Sequence, residues 1–202
     1  MPNTHSCFYK GQYWWYFCGT IMAGIYIHIP FCKQACAYCN FHFSTSLKLK
    51  DDMLVAIIRE IAAKKHYLPQ AAISTIYLGG GTPSLLSADE IKTITEAIAT
   101  HYDISGLQEF TIETNPDDLT PAYIKSLRNT AINRFSIGTQ SFFDEDLAYM
   151  NRAHNAREAD YAIKAVQDAG YENITIDLIY GTPGLTDKNW LYNLQQVRDL
   201  GI

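Results

Sequence analysis

The chain lacks any apolar run long enough to cross a bilayer, which excludes a transmembrane helix. It also lacks an excess of positive charge. Sixteen Lys and Arg stand against 21 Asp and Glu, for a net charge of −5. That balance gives no electrostatic argument for nucleic acid or an acidic membrane surface. There is no low-complexity tract, and 48% hydrophobic with 18% charged residues are globular proportions. The glycine run Gly79-Gly80-Gly81 is not followed by Gly-Lys-Ser/Thr, so it is no P-loop. Its spacing also excludes the dinucleotide fingerprint. At 202 residues, one well-cored domain is the expectation.

Cysteine is scarce, but three of the five are concentrated. Cys32, Cys36 and Cys39 stand at C-x3-C-x2-C spacing, directly after the strand-like run Ile25–Pro30. Three thiolates on a short loop can hold three irons of a [4Fe–4S] cluster, whereas an electron-carrying cluster takes four cysteines. The fourth iron is then open to a small ligand. Structural zinc and a disulfide are the other readings. Zinc uses two C-x2-C pairs or a Cys/His partner pair, and no second pair exists here. A disulfide would leave one cysteine over. The spacing favours the open cluster.

Strand-like and helix-like runs alternate along the chain. The strands read as Ile25–Ile29, Thr75–Leu78, Glu109–Thr114, Arg134–Gly138 and Asn173–Ile179. Leu54, Ile57, Ile58 and Ile61 form a helical stripe, as do Ala159, Ala162, Ile163 and Val166. Ser87 to Glu90 reads as a capping box ahead of Ile91, Ile94 and Ile98. Thr120-Pro121 starts another helix, and Gly170 ends the one before the fifth strand. A last helix carries Trp190, Leu191, Leu194 and Val197, and Ile202 reads as the start of a sixth strand. Repeated β/α units with apolar strands predict a parallel sheet covered by helices.

In such folds the working residues gather at the carboxyl ends of the strands. Glu113 and Gln140 lie there, and Asp177 interrupts the apolar run of the fifth strand. A carboxylate in that position is costly unless paired or bound. The three glycines permit close approach to the backbone and offer N–H donors. His28, in a buried-type strand, and His154, on a loop, are more often structural than ligating.

Several words in one order identify a resemblance covering Met22 to the last residue: YIHIPFCKQACAYCNF (26–41), YLGGGTPS (77–84), FTIETNPD (110–117), NRFSIGTQSF (133–142), NRAHN (151–155) and ITIDLIYGTPG (174–184). They resemble the radical S-adenosylmethionine (SAM) superfamily, within it the oxygen-independent coproporphyrinogen oxidase group, and most closely the HemW-type haem chaperones. The resemblance implies an α/β fold, a partial parallel (β/α) barrel, with about five of six units in residues 22–202. A C-terminal domain and the haem-binding element would lie beyond residue 202. Residues 1–21 read as an extension outside the fold. It holds Cys7, Cys18 and the run Tyr13 to Phe17, and imitates a signal peptide without a cleavage site.

By the same resemblance, Cys32, Cys36 and Cys39 hold the cluster. Tyr26, Tyr38, Gly80, Gly81, Thr82, Glu113, Gln140, Arg152 and Asp177 are the SAM contacts, with the glycine loop meeting the SAM amine and Arg152 suited to a carboxylate. In the family, one electron from the reduced cluster cleaves SAM to a 5′-deoxyadenosyl radical, which in the oxidase starts decarboxylation of coproporphyrinogen III. That enzyme carries a cysteine two residues after the third ligand. Here the position is Phe41, and the haem chaperones also lack that cysteine. The expected function is therefore haem binding and transfer to acceptor proteins, with an electron donor as a further partner. The alternative is an oxidase-like enzyme. An oxygen-sensitive cluster implies the cytoplasm.

Overall fold

The computed structural model describes residues 23–68 and 72–202, so the expectations for residues 1–21 fall outside it. Five strands alternate with helices: β1 Ala23–Ile29, α1 Lys50–Ala63, β2 Ile73–Gly80, α2 Ala88–His101, β3 Glu109–Thr114, α3 Pro121–Leu127, β4 Arg134–Gln140, α4 Asp144–Tyr149, α5 Ala156–Asp168, β5 Asn173–Leu178 and α6 Asp187–Asp199. All four pairings are parallel, in the order β1-β2-β3-β4-β5. The sequence reading places these strands to within two residues at each end.

The local signals act as their chemistry requires. Ser87 and Glu90 form a reciprocal capping box at α2, and Thr120 caps α3 by accepting from the Tyr123 N–H. Asn155 and Glu158 make a second capping box at α5. Ile91, Ile94 and Ile98 are fully buried, and so are the α5 stripe residues Ala159, Ala162, Ile163 and Val166. Gly170 takes a positive φ of 82° just beyond α5, where a side chain would be strained.

The sheet is two-sided. One face carries Ile27, Ile76, Leu78, Phe110, Ile112, Phe135 and Ile137, which join the helix stripes in a single core. The other face reads Tyr26, Tyr77, Thr111 and Arg134 across four strands, with Glu113 beside Ser136 and Thr175 beyond it. This polar face corrects two expectations. His28 is not buried: it stands exposed on this side, bonding Tyr26 Oη through Nδ1 at 3.2 Å and the His42 carbonyl through Nε2 at 3.3 Å. Asp177 does not interrupt an apolar face either. It alternates onto the polar one, where a carboxylate reaches solvent.

In helix α6, Val197 packs on the core while Leu191 and Leu194 are exposed. The fully buried residue is Asn193, whose Oδ1 accepts from the Phe142 N–H at 2.9 Å and whose Nδ2 donates to Ser141 Oγ at 3.2 Å. Ser141 and Thr182 in turn donate to the buried Asp146. A satisfied polar network thus holds α6 beside its core contact at Val197. Ile202 takes no strand pairing; it packs on the core, with its N–H on the Val197 carbonyl at 3.3 Å.

Candidate cofactor site

The cysteine loop leaves β1 at Pro30 and is closed at its base. Phe31 bridges Ser44, the Cys32 N–H bonds the Ser44 carbonyl at 3.0 Å, and the Ser44 N–H bonds the Pro30 carbonyl at 2.9 Å. The glycine turn after β2 lies against this base. A Cβ on Gly81 would stand 2.6 Å from the Phe31 carbonyl oxygen and 2.9 Å from that of Ile29. Gly81 is thus required by backbone packing against the cysteine loop.

Loop, glycine turn and strand ends enclose a cavity of ≈ 210 Å³. Every site residue named from the sequence lines it except Tyr26: Cys32, Cys36, Cys39, Tyr38, Gly80, Gly81, Thr82, Glu113, Gln140, Arg152 and Asp177. Tyr26 instead lines a neighbouring groove between β1 and α1, and its ring stacks on Tyr77 at 5.9 Å between centroids.

The three thiols are free and partly exposed to this cavity. Burial pushes the Cys32 thiol up from its ordinary range, and the neighbouring Cys36 and Cys39 add to that. A hydrogen bond with Thr82 and the Arg152 guanidinium oppose it. Among the described residues, no three His, Cys, Asp or Glu side chains converge tightly enough for one metal ion. Three thiols on the wall of one cavity suit a cluster held at three of its irons.

Glu113 is fixed at both oxygens. Tyr77 Oη donates to Oε1 at 2.7 Å, and the Gly80 N–H donates to Oε2 at 2.9 Å. Burial and the Glu113 carboxylate push the Tyr77 hydroxyl up to about 12, so it remains a donor. The Gly81 N–H is also committed, to the Ile29 carbonyl at 2.9 Å. The expectation that the glycines offer free N–H donors therefore fails. An ammonium group would be met by acceptors, and the Glu113 carboxylate supplies them. Gly80 has a φ of 114°, open only to glycine, and a Cβ there would collide with the His28 ring.

Arg152 faces the thiols. Nη1 donates to Cys36 Sγ at 3.3 Å and to Tyr38 Oη at 3.4 Å, while Nη2 donates to Asn115 Oδ1 at 2.6 Å and to the Gly138 carbonyl at 2.8 Å. Its Nε is buried without a partner. The fork that sequence reasoning reserved for a ligand carboxylate is engaged with protein acceptors, leaving Nε as the unsatisfied donor. Gln140 sits where β4 breaks register, at a φ of 68°, and its carbonyl receives the Ile179 N–H at 2.9 Å. Asp177 reaches the cavity from β5. The surrounding wall pushes its carboxyl up from the ordinary range, with Arg134 and Arg152 opposing. His154 is buried and donates from Nε2 to the Thr139 carbonyl at 3.1 Å, in keeping with a structural role.

Sequence reasoning passed over Asn115, Ser136 and Gly138, which complete the wall. It also passed over Tyr77 and Asn151. Each lies inside a recognised word, so the signal was proximity to named contacts; only the fold shows which of them touch.

The sequence model described as the Radical SAM superfamily matches residues 26–196. The heme chaperone HemW of Lactococcus lactis is 40% identical over 161 residues, covering 80% of this chain and 42% of that protein. HemW of Bacillus subtilis is 34% identical over 181 residues, covering 89% and 48%. The chain therefore spans about half the length of the curated relatives it matches. Among solved structures, coproporphyrinogen III oxidase (HemN) from Escherichia coli, described as a radical SAM enzyme, superposes with a TM-score of 0.78 at 27% identity, covering 88% of this chain and 41% of that one. Methylornithine synthase (PylB) shares the fold alone, at a TM-score of 0.61 and 13% identity. With the superfamily match spanning most of its length, this chain belongs to the radical SAM superfamily.

Proposed function

We propose that this chain is the cluster- and SAM-binding part of a haem chaperone. Cys32, Cys36 and Cys39 hold a [4Fe–4S] cluster, and SAM occupies the cavity between that loop and the polar face of the sheet. The carrying observation is the cavity itself, where three thiols face a preorganised carboxylate across a glycine turn that excludes side chains. A cluster bound there would supply one electron for cleavage of SAM. Glu113 accepts from the amine or ribose hydroxyls of SAM, with Tyr77 and Gly80 keeping its oxygens oriented. The unpartnered Arg152 Nε offers a donor to a SAM carboxylate. Tyr38 would flank a cluster held by the neighbouring cysteines, and Asp177 lines the same cavity.

Haem transfer to acceptor proteins rests on the similarity to HemW proteins and on Phe41. This ring is 66% exposed and lines the cavity at the position where the oxidase carries a cysteine. No helix among the described residues is long and apolar enough to cross a membrane. We place the protein in the cytoplasm, where thiols stay reduced, with an electron donor as partner. Anaerobic reconstitution tests the core of this reading. It should yield about four iron and four sulfide per chain, and SAM should alter the electron paramagnetic resonance (EPR) spectrum of the reduced cluster. Unchanged iron and sulfide in Cys36→Ser, or a spectrum indifferent to SAM, would refute it.

A further inference from the structure

On the cluster reading above, we propose that Lys33 and Asn151 are positioning residues for the cluster. They fix the cysteine loop in its ligand-holding shape before any cluster arrives. Lys33 directly follows Cys32. Its Nζ donates to Asp117 Oδ2 at 3.0 Å and also pairs with Asp118. Exposed ion pairs contribute little, but Asp118 is no exposed partner. Its side chain is 4% exposed and is held by Ser84 Oγ at 2.6 Å. The other Asp117 oxygen is buried with no partner. The lysine is therefore the cation that a largely desolvated pair of carboxylates needs, and satisfying it pins the loop 84 residues away in sequence.

Asn151 anchors the next stretch. It ends α4 with a φ of 55°, a left-handed conformation that asparagine tolerates better than most residues. From there its Nδ2 donates to the Ala35 carbonyl at 2.7 Å, and its Oδ1 accepts from Gln34 Nε2 at 2.8 Å. Gln34 Nε2 also reaches the Asn151 carbonyl at 2.7 Å, and the Ala37 N–H bonds the Met150 carbonyl at 3.0 Å. Residues 33, 34, 35 and 37, interleaved with the three cysteines, are thus each tied to the barrel by a polar bond. Ordering a backbone costs entropy at every residue. Here the barrel meets that cost, so the cluster binds a loop that is already formed.

The test uses the whole chain with Asn151→Gly, Lys33→Met and Lys33→Arg. Glycine keeps the left-handed turn and removes only the side-chain bonds. Amide hydrogen exchange across residues 32–39 is followed in the cluster-free protein. Cluster loss to a chelator and the EPR spectrum are followed after reconstitution. Asn151→Gly and Lys33→Met should each speed exchange and cluster loss about tenfold, the factor expected for one or two lost hydrogen bonds, and shift the spectrum. Lys33→Arg should restore all three. If the wild type takes up a cluster and the first two variants match it in exchange, loss and spectrum, the positioning role is overturned and the cluster reading stands. If the wild type takes up none, both fall.

Discussion

Arg152 donates to the Cys36 sulfur at 3.3 Å and to the Gly138 carbonyl at 2.8 Å, bridging the cysteine loop and the fourth strand with one side chain. The planar fork makes this possible, and a lysine ammonium is a single point that cannot serve both ends. Hydrogen bonds to charged groups contribute about 1.5–3 kcal/mol each. Arg152→Lys should therefore weaken cluster retention by about tenfold or more and shift the EPR signal. Retention and spectrum equal to wild type would show that the guanidinium does not act on the thiolate.

Gly81 and Gly106 make a matched pair. A Cβ at Gly81 meets backbone oxygens of Phe31 and Ile29, which cannot move aside singly, while one at Gly106 meets nothing within 4 Å. Forcing atoms into a packed site costs about 1–3 kcal/mol. Gly81→Ala should lower the melting temperature by several degrees and reduce cluster uptake, and Gly106→Ala should do neither. Thermal melts followed by circular dichroism check both.

Much of this architecture is legible in the sequence, for physical reasons. Helix stripes such as Ile91, Ile94 and Ile98 repeat at a helical period because they bury one face, and the capping box at Ser87 is local chemistry. Strand faces are harder. Apolar strands read as covered on both sides, and only the register shows that Tyr26, Tyr77, Thr111 and Arg134 line up on one polar face. The buried Asn193 of α6 carries no local sequence signal, because its partners Phe142 and Ser141 lie 51 and 52 residues away. The residues that line the cavity belong to recognisable words. Residues that hold those residues, such as Tyr77 behind Glu113, become visible only through contacts.

His154 gives a pH prediction. Burial holds its imidazole below the ordinary value of 6.5, with the Arg152 charge adding to the effect. The unfolded chain then binds a proton that the folded chain does not. A depressed folded value means that this stability is present above about pH 6.5 and is lost as pH falls from there toward the folded value. His154→Gln keeps a donor for the Thr139 carbonyl and removes the titration. Urea midpoints measured between pH 7.5 and 5 should fall more steeply in the wild type than in the variant. Parallel curves would assign the acid sensitivity to other groups.

On the proposed chaperone reading, Phe41 is the residue that sets haem handling apart from porphyrinogen chemistry. A phenyl ring neither ligates a metal nor relays a hydrogen atom as a thiol does, and here it stands 66% exposed on the cavity wall. A protein of the relatives' full length carrying this sequence should therefore bind haem and leave coproporphyrinogen III intact, even with SAM and a reductant. The present chain should bind haem weakly or not at all, because the resemblance places the haem-binding element beyond residue 202. Anaerobic incubation followed by chromatography reads the first expectation, and haem titration in the Soret region reads the others. Formation of protoporphyrinogen would overturn the chaperone reading in favour of the oxidase. Tight haem binding by residues 22–202 alone would move the haem ligand into the barrel. His28, exposed on the polar face, would then be the first residue to replace, ahead of the buried His154.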